Sequence, residues 1–155
     1  MSGRTGKVVS INSSGGGVPK RPVLFANVNA LGLEDDRHID RNHGGPDRAI
    51  CLYSLDLIKK LRAEGHPIDI GTAGENLTVE DLDWSLMQPG VKLTVGGEVR
   101  LEVTSFTVPC KTIAASFTDG KFARISEKVH PGWSRVYARV LQPGEVKTYS
   151  SIIIE

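Results

Sequence analysis

The sequence contains few cysteines, few aromatic residues and no excess of either charge. Two cysteines occur among 155 residues, which is too few for the disulfide framework that supports small secreted domains. Lysine and arginine number 19, and aspartate and glutamate number 18. No broad basic face of the kind that binds a nucleic-acid backbone is therefore expected, and any cationic site must be local.

Long apolar runs are also absent. A helix that crosses a bilayer needs about 20 consecutive apolar residues, and the longest candidate is the short stretch from Ser151 to Ile154. Residues Met1 to Thr5 lack the apolar run of a secretory signal. We therefore expect no membrane span and a location in the reducing cytoplasm. The content of 39% hydrophobic residues suits one compact domain, residues 1–155.

Short apolar segments separated by turn residues predict strands. The Gly96-Gly97 pair supplies the two positive-φ positions of a tight hairpin turn. Only the segment from Leu55 to Ala63 has helical spacing, with Ser54 as its N-cap and Gly65 after its end. The sequence thus predicts a mainly β protein, a β-barrel with one or two short helices. Its strands are expected at Gly6 to Ile11, from Lys20 to Ala26, Ala49 to Tyr53, Val91 to Val95, Val99 to Val103, Ser134 to Val140 and Val146 to Ile154.

The two cysteines stand in different surroundings. Cys51 lies in an apolar run, which is typical of a buried structural thiol. Cys110 follows Pro109 and precedes Lys111. A neighbouring ammonium favours the thiolate, the form that attacks electrophiles, carries sulfur or ligates a soft metal. From these residues alone, a reactive and a structural role for Cys110 both stay open, and a disulfide between the two cysteines is not expected.

Polar loops supply candidate ligand-binding groups. The glycine-rich loop Asn12 to Gly17 lacks the Gly-Lys-Ser/Thr ending of a nucleotide-binding P-loop, which argues against an ATPase. The pairs Asp36-Arg37 and Asp47-Arg48 are either surface ion pairs or parts of an anion site, because guanidinium groups and loop amides build phosphate cradles. His43 is a candidate metal ligand, proton donor or turn residue, and no spacing typical of a structural zinc site appears.

Several of these segments occur in an order that resembles the MOSC domain, named for the C-terminal domain of molybdenum cofactor sulfurases. The resemblance covers nearly the whole chain, and its elements are specific in combination. They are Gly32 to His38, His43 to Ala49, Gly74 to Leu77, Cys110, Pro131 to Trp133, Tyr137 to Leu141 and Pro143-Gly144.

The resemblance implies a β-barrel related to that of pyruvate kinase, and a site for the molybdenum cofactor, a phosphate-bearing molybdopterin. It also associates the chain with pyridoxal phosphate binding. Cys110 matches the family cysteine that receives persulfide sulfur or ligates molybdenum, and His43 is assigned a proton-transfer role. The cofactor-binding residues expected from the resemblance are Ser13, Gly15, Gly16, Lys20, Arg37, Asp47, Arg48, Asn76, Lys111 and Tyr137.

Three functions follow as expectations. The first is a molybdopterin-binding protein whose Cys110 carries sulfur or ligates molybdenum, served by a separate sulfur donor or redox partner protein. The second is a reductase component that acts on N-hydroxylated bases or amidoximes. The third is a non-catalytic scaffold module in cofactor assembly, in which Cys110 is merely buried. The first two make the chain an enzyme or part of one.

Overall fold

Short strands and one α-helix form the regular structure of the described residues, which are 3–34, 36 and 45–155 in this computed structural model. The helix is α1 (Leu55–Ala63). The strands are β1 (Thr5–Ser13), β2 (Arg21–Val23), β3 (Phe25–Asn29), β4 (Gly32–Leu33), β5 (Ile50–Ser54), β6 (Leu77–Glu80), β7 (Lys92–Val95), β8 (Val99–Phe106), β9 (Val136–Gln142), β10 (Gly144–Lys147) and β11 (Ser151–Ile154).

Seven strands close into a barrel. They follow the order β11-β7-β8-β9-β5-β6-β1, and the pairing of β11 with β1 completes the ring. The β5–β6 pair is parallel and its neighbours in the ring are antiparallel. Strand β2 extends the sheet from β1, while β10, β3 and β4 form a second small sheet. The predicted mainly β barrel is therefore confirmed.

Two local predictions are confirmed. Strands β7 and β8 form the expected hairpin, in which Gly96 and Gly97 have φ values of 65° and 79°. Helix α1 begins after Ser54, whose Oγ accepts a hydrogen bond from the Leu57 backbone N–H at 3.2 Å. Its apolar side packs against β5 and β6. No helix among the described residues is long and apolar enough to span a bilayer.

Three predicted segments are wrong in detail. The strand expected from Val146 to Ile154 is divided into β10 and β11 by a turn, in which Tyr149 has a φ of 70°. The strand expected from Lys20 to Ala26 is divided between β2 and β3. The segment after Cys110 contains 3-10 helices that the sequence did not predict, because none is long enough to show a helical period. They are Lys111–Ser116, Thr118–Gly120 and Phe122–Ile125.

Strand β4 begins shortly after residue 30. Gly32 pairs with Asn29 in the second sheet, at a φ of 122°. A Cβ at this position would collide with the carbonyl oxygen of Ala49. Glycine is therefore required where the chain passes close to the start of β5.

Candidate functional site

Side-chain alternation places Cys51 and Tyr137 on the face of the sheet opposite the core. The two residues are direct partners across β5 and β9. Their chain neighbours, Ile50 and Leu52 on β5 and Val136 and Ala138 on β9, belong to the hydrophobic core. Because successive side chains in a strand point to opposite faces, Cys51 and Tyr137 point away from that core. We call this surface, defined by Cys51 and Tyr137, the site face.

The site face is covered by the 3-10 helix Pro46–Arg48. This helix packs against β9, and the Arg48 guanidinium lies 5.8 Å from the centre of the Tyr137 ring. Tyr137 is only 8% exposed. Burial raises the pKa of its hydroxyl, Cys51 adds to the shift and Arg135 opposes it, with smaller effects from Arg48 and Cys110. Both thiols and both arginines therefore lie within electrostatic reach of a neutral Tyr137 hydroxyl.

The two cysteines differ in accessibility, as predicted. Cys51 is buried, its Sγ lies 3.7 Å from Thr107 Oγ1, and burial raises the pKa of its thiol. Cys110 is half-buried, and its Sγ lies 2.9 Å from Thr112 Oγ1. Neither forms a disulfide. Cys110 directly precedes the 3-10 helix that starts at Lys111, whose side chain is exposed.

A buried ion pair supports the glycine-rich loop. Lys20 Nζ donates to both oxygens of the Asp36 carboxylate at 2.7 and 2.8 Å. The side chains of Lys20 and Asp36 are 8% and 1% exposed. The backbone N–H of Ser14 donates to the same carboxylate at 2.9 Å. Asp36 therefore fixes the start of the loop that the sequence identified as a candidate phosphate cradle.

Asn76 joins this ion pair to the site face. Its Nδ2 donates to Asp36 at 2.8 Å, and its Oδ1 accepts from the Cys51 backbone N–H at 2.9 Å. Its backbone N–H donates to the Cys51 carbonyl, and its own carbonyl accepts from the Asn12 N–H. Asn76 is 1% exposed. Its amide thus bridges β5 and the end of β1 and holds Asp36 in place.

Glu75 and Arg135 are buried residues that the sequence analysis did not single out. Glu75 Oε2 accepts from the Gly71 N–H at 3.1 Å and from Thr78 Oγ1 at 2.9 Å. Arg135 Nη1 donates to the Ala73 carbonyl at 2.7 Å. Glu75 Oε1 and Arg135 Nε are buried without a hydrogen-bond partner among the described residues. The only sequence signal for Glu75 was its place beside Asn76, and Arg135 had none.

The other expected site residues lie in different surroundings. Ser13 ends β1 opposite Arg21, and the following Gly15 and Gly16 lie in the loop, exposed and half-buried respectively. Asp47 is exposed, and its carboxylate lies 3.5 Å from Arg139 Nε. Arg37 and His43 fall outside the described residues. The structure therefore places Arg48 beside the Tyr137 ring, with Cys110 within electrostatic reach of the Tyr137 hydroxyl, and it buries Lys20 and Asn76 in contacts with Asp36.

The described residues contain no cluster of three or more histidine, cysteine, aspartate or glutamate side chains that could hold a metal ion.

Comparison with known families agrees with this geometry. The MOSC domain model matches residues 39–152. The chain belongs to the MOSC domain family. The resemblance inferred from the sequence motifs is therefore confirmed, and the family associates the chain in general terms with the molybdenum cofactor.

Curated relatives of this MOSC chain are longer proteins. The chain is 30% identical over 125 residues to a protein named Reductase from Gibberella moniliformis. It is also 30% identical to the Uncharacterized protein YflK of Bacillus subtilis over 133 residues and to Protein YiiM of Escherichia coli over 122 residues. The matches cover 76%, 84% and 75% of this chain, but 21%, 59% and 53% of the relatives. The chain thus spans less than two thirds of each.

Solved structures share the fold. YiiM from Geobacillus stearothermophilus superposes with a TM-score of 0.74 at 24% identity, covering 97% of this chain and 75% of that one. The YUAD protein from Bacillus subtilis superposes with a TM-score of 0.75 at 15% identity, covering 99% and 98%. At these identities the likeness shows the barrel architecture.

We predict that iodoacetamide modifies Cys110 at least about tenfold faster than Cys51 at neutral pH, because burial restricts access to Cys51 and raises the pKa of its thiol. Peptide mapping by mass spectrometry measures the two rates. In the Cys110→Ser control, native protein should label slowly and urea-unfolded protein should label fully at Cys51. Faster labelling of Cys51 in the native wild type would contradict the assignment.

We predict that Glu75→Gln gains stability relative to the wild type as pH rises. Burial raises the pKa of Glu75 above its ordinary value of 4.5, so the folded state keeps this proton at pH values where the unfolded state has lost it. The contribution of Glu75 to wild-type stability therefore falls as pH rises above 4.5, with a slope of at most about 1.4 kcal/mol per pH unit. A glutamine Oε1 retains the acceptor role towards Gly71 and Thr78.

Urea unfolding at a series of pH values between 4 and 8 measures this difference, with the half-buried Glu80→Gln as the matched control. The control should follow the wild-type pH dependence. If the wild type instead gained stability relative to Glu75→Gln with rising pH, Glu75 would be an ionised partner of Arg135, and the direction given for its pKa would be wrong.

Proposed function

We propose that this MOSC domain binds the molybdenum cofactor against the site face and that Cys110 supplies the sulfur atom that takes part in its chemistry. The observation that carries the proposal is the contrast between the two thiols. Cys51 lies on the site face but is buried, whereas Cys110 is half-buried within electrostatic reach of the same Tyr137 hydroxyl. Among the described residues, Cys110 is the thiol accessible to a ligand.

The polar groups of this region suit an anionic heterocycle. Arg48 carries a guanidinium suited to phosphate oxygens, and Tyr137 offers a hydroxyl that stays protonated because burial raises its pKa. The Gly15 and Gly17 amides of the loop after Ser13 would add donors, since those of Ser14 and Gly16 already donate to Asp36 and to Ser14 Oγ. These residues would hold the cofactor, which when bound supplies a redox-active molybdenum centre for oxygen-atom or sulfur chemistry.

Lys20 and Asn76 act in this proposal as positioning residues. Their polar atoms are bonded to Asp36, and both side chains are buried. The sequence-based expectation gave them direct cofactor contacts. The contacts of Lys20 and Asn76 instead favour a supporting role, in which they hold the Ser14 loop and the Cys51 backbone in place. Direct phosphate and pterin contacts then fall to the loop amides, Arg48 and Tyr137.

Two chemistries use the same sulfur. In a sulfur carrier, the Cys110 thiolate attacks the terminal sulfur of a donor protein's persulfide, the donor cysteine leaves as thiolate, and Cys110 keeps the sulfur for an acceptor. In a reductase component, Cys110 instead stays a permanent soft ligand of molybdenum. The similarity to the protein named Reductase from Gibberella moniliformis supports the second chemistry. We favour ligation, with N-hydroxylated bases or amidoximes as substrates and electrons from a separate redox partner.

We predict that Cys110→Ser keeps the wild-type melting temperature and pterin-phosphate binding but lowers turnover by about 100-fold or more. Turnover is measured as reduction of an N-hydroxylated base by cofactor-reconstituted protein with a chemical electron donor, and separately as persulfide transfer. Cys51→Ala is the control, because it removes a thiol that is buried and therefore not accessible to a ligand. Loss of reduction alone supports ligation, and loss of transfer alone supports a carrier.

Wild-type activity of Cys110→Ser in both assays would remove the chemical role of Cys110. The scaffold function would then replace the proposal, since that function requires binding of assembly partners without any reaction at the thiol.

We predict that Arg48→Lys weakens binding of a phosphorylated pterin by about five- to tenfold, because an ammonium cannot give the paired hydrogen bonds of a guanidinium. Isothermal titration calorimetry measures the affinity. Arg100→Lys is the matched control, since Arg100 bonds Glu155 near the β7–β8 turn, at the opposite end of β8 from Cys110. If Arg48→Lys and Arg100→Lys bound the phosphorylated pterin with equal affinity, Arg48 would not be the residue that holds the phosphate.

A further inference from the structure

A cavity of about 530 Å³ lies between the end of α1 and the segment 120–130. Its walls include His66, Lys121, Phe122, Ala123, Arg124 and His130. The volume falls in the range of small-molecule sites. None of these residues belongs to the site face or to the ion pair of Lys20 and Asp36, so this cavity is separate from the site described above.

The side chains that line the cavity are basic, aromatic or small. Lys121 and His130 are exposed, and Phe122 contributes an aromatic wall. The nearby carboxylate of Glu64 is bound to Arg124 and does not belong to the described lining. The cavity therefore presents positive charge beside an apolar surface, which suits a ligand with one anionic group and one apolar part.

Arg124 forms a rigid planar part of the wall. Its Nε and Nη2 donate to the two carboxylate oxygens of Glu64 at 2.8 and 2.7 Å. Its guanidinium carbon lies 3.9 Å from the centre of the Trp133 ring. The hydrogen bonds to Glu64 raise the pKa of Arg124, and those from Arg124 lower the pKa of Glu64. One edge and one face of the guanidinium are thus already occupied.

His66 is also fixed in orientation. Its Nδ1 accepts a hydrogen bond from the Thr118 backbone N–H at 3.1 Å. An imidazole nitrogen that accepts a hydrogen bond carries no proton, so the Nε2 bears it, 3.6 Å from a Glu64 oxygen. The ring also packs edge to face on Phe117. His66 and Arg124 therefore share Glu64 as an anchor and form a preorganised wall.

We propose that this cavity binds a small aromatic carboxylate. Because Glu64 occupies the paired N–H edge of Arg124, that guanidinium is not available for the two-pronged recognition typical of phosphate. Arg124 nevertheless lines the cavity, and a guanidinium face attracts an aromatic ring. The ligand ring packs on Arg124 and Phe122, and the carboxylate pairs with Lys121 and His130 at the rim.

The probe for this proposal is 4-fluorobenzoate, followed by ¹⁹F NMR titration of the full chain, with 4-fluorobenzamide as its neutral analogue. We expect saturable binding of the acid. Lys121→Gln should weaken binding by about three- to fivefold, the factor for one exposed ion pair. Lys128→Gln, an exposed lysine of the same segment outside the cavity lining, should leave it unchanged.

Ala123→Trp provides a second variant that does not disturb the Arg124 contacts. Ala123 is exposed, so a bulky side chain there should fill the cavity without affecting the fold, and binding should be lost. Cys110→Ser should bind the probe normally, which separates this site from the proposed cofactor site. Absence of saturable binding, equal affinity for the amide, or binding unaffected by both Ala123→Trp and Lys121→Gln would each overturn the proposal.

Discussion

The carboxylate of Asp36 is the point on which the geometry of the candidate site depends. It is nearly inaccessible to solvent and accepts hydrogen bonds from Lys20, Asn76 and the Ser14 backbone. A buried carboxylate that loses one charged partner costs several kcal/mol, because the remaining charge is left without compensation. The Asp36 side chain therefore couples the positions of the glycine-rich loop, β6 and the segment around Lys20.

The barrel places its core residues and the candidate site residues on opposite faces of the sheet. Along β5 and β9, alternate residues point to the core, and Cys51 and Tyr137 point to the site face. The core face supplies apolar burial, the main favourable term in folding. Residues on the other face contribute less to that term, so their identities can serve ligand binding. The difference between Cys51 and Cys110 follows from this arrangement, since one lies within a strand and the other beyond a strand end.

The sequence predicted the features that depend on neighbouring residues. The Gly96-Gly97 hairpin and the Ser54-capped helix α1 follow from local backbone preferences, and both were confirmed. The motif order also identified the family. It could not show that Lys20 and Asn76 are bonded to Asp36, because those contacts join residues 16 and 40 positions apart. Nor could it reveal Arg135, since a buried arginine has the same local pattern as an exposed one.

Polar residues of the Gly74-to-Leu77 motif are bonded to other parts of the chain. Gly74 has a φ of 83° and leaves no room for a Cβ beside Val18. Glu75 ties Gly71 to Thr78, and Asn76 bridges two strands. These residues satisfy backbone groups at the start of the parallel β5–β6 pair. Regular strand pairing leaves some backbone N–H donors there without acceptors. The motif therefore supports the backbone around the glycine-rich loop and Cys51, and substitutions there should act by displacing these segments.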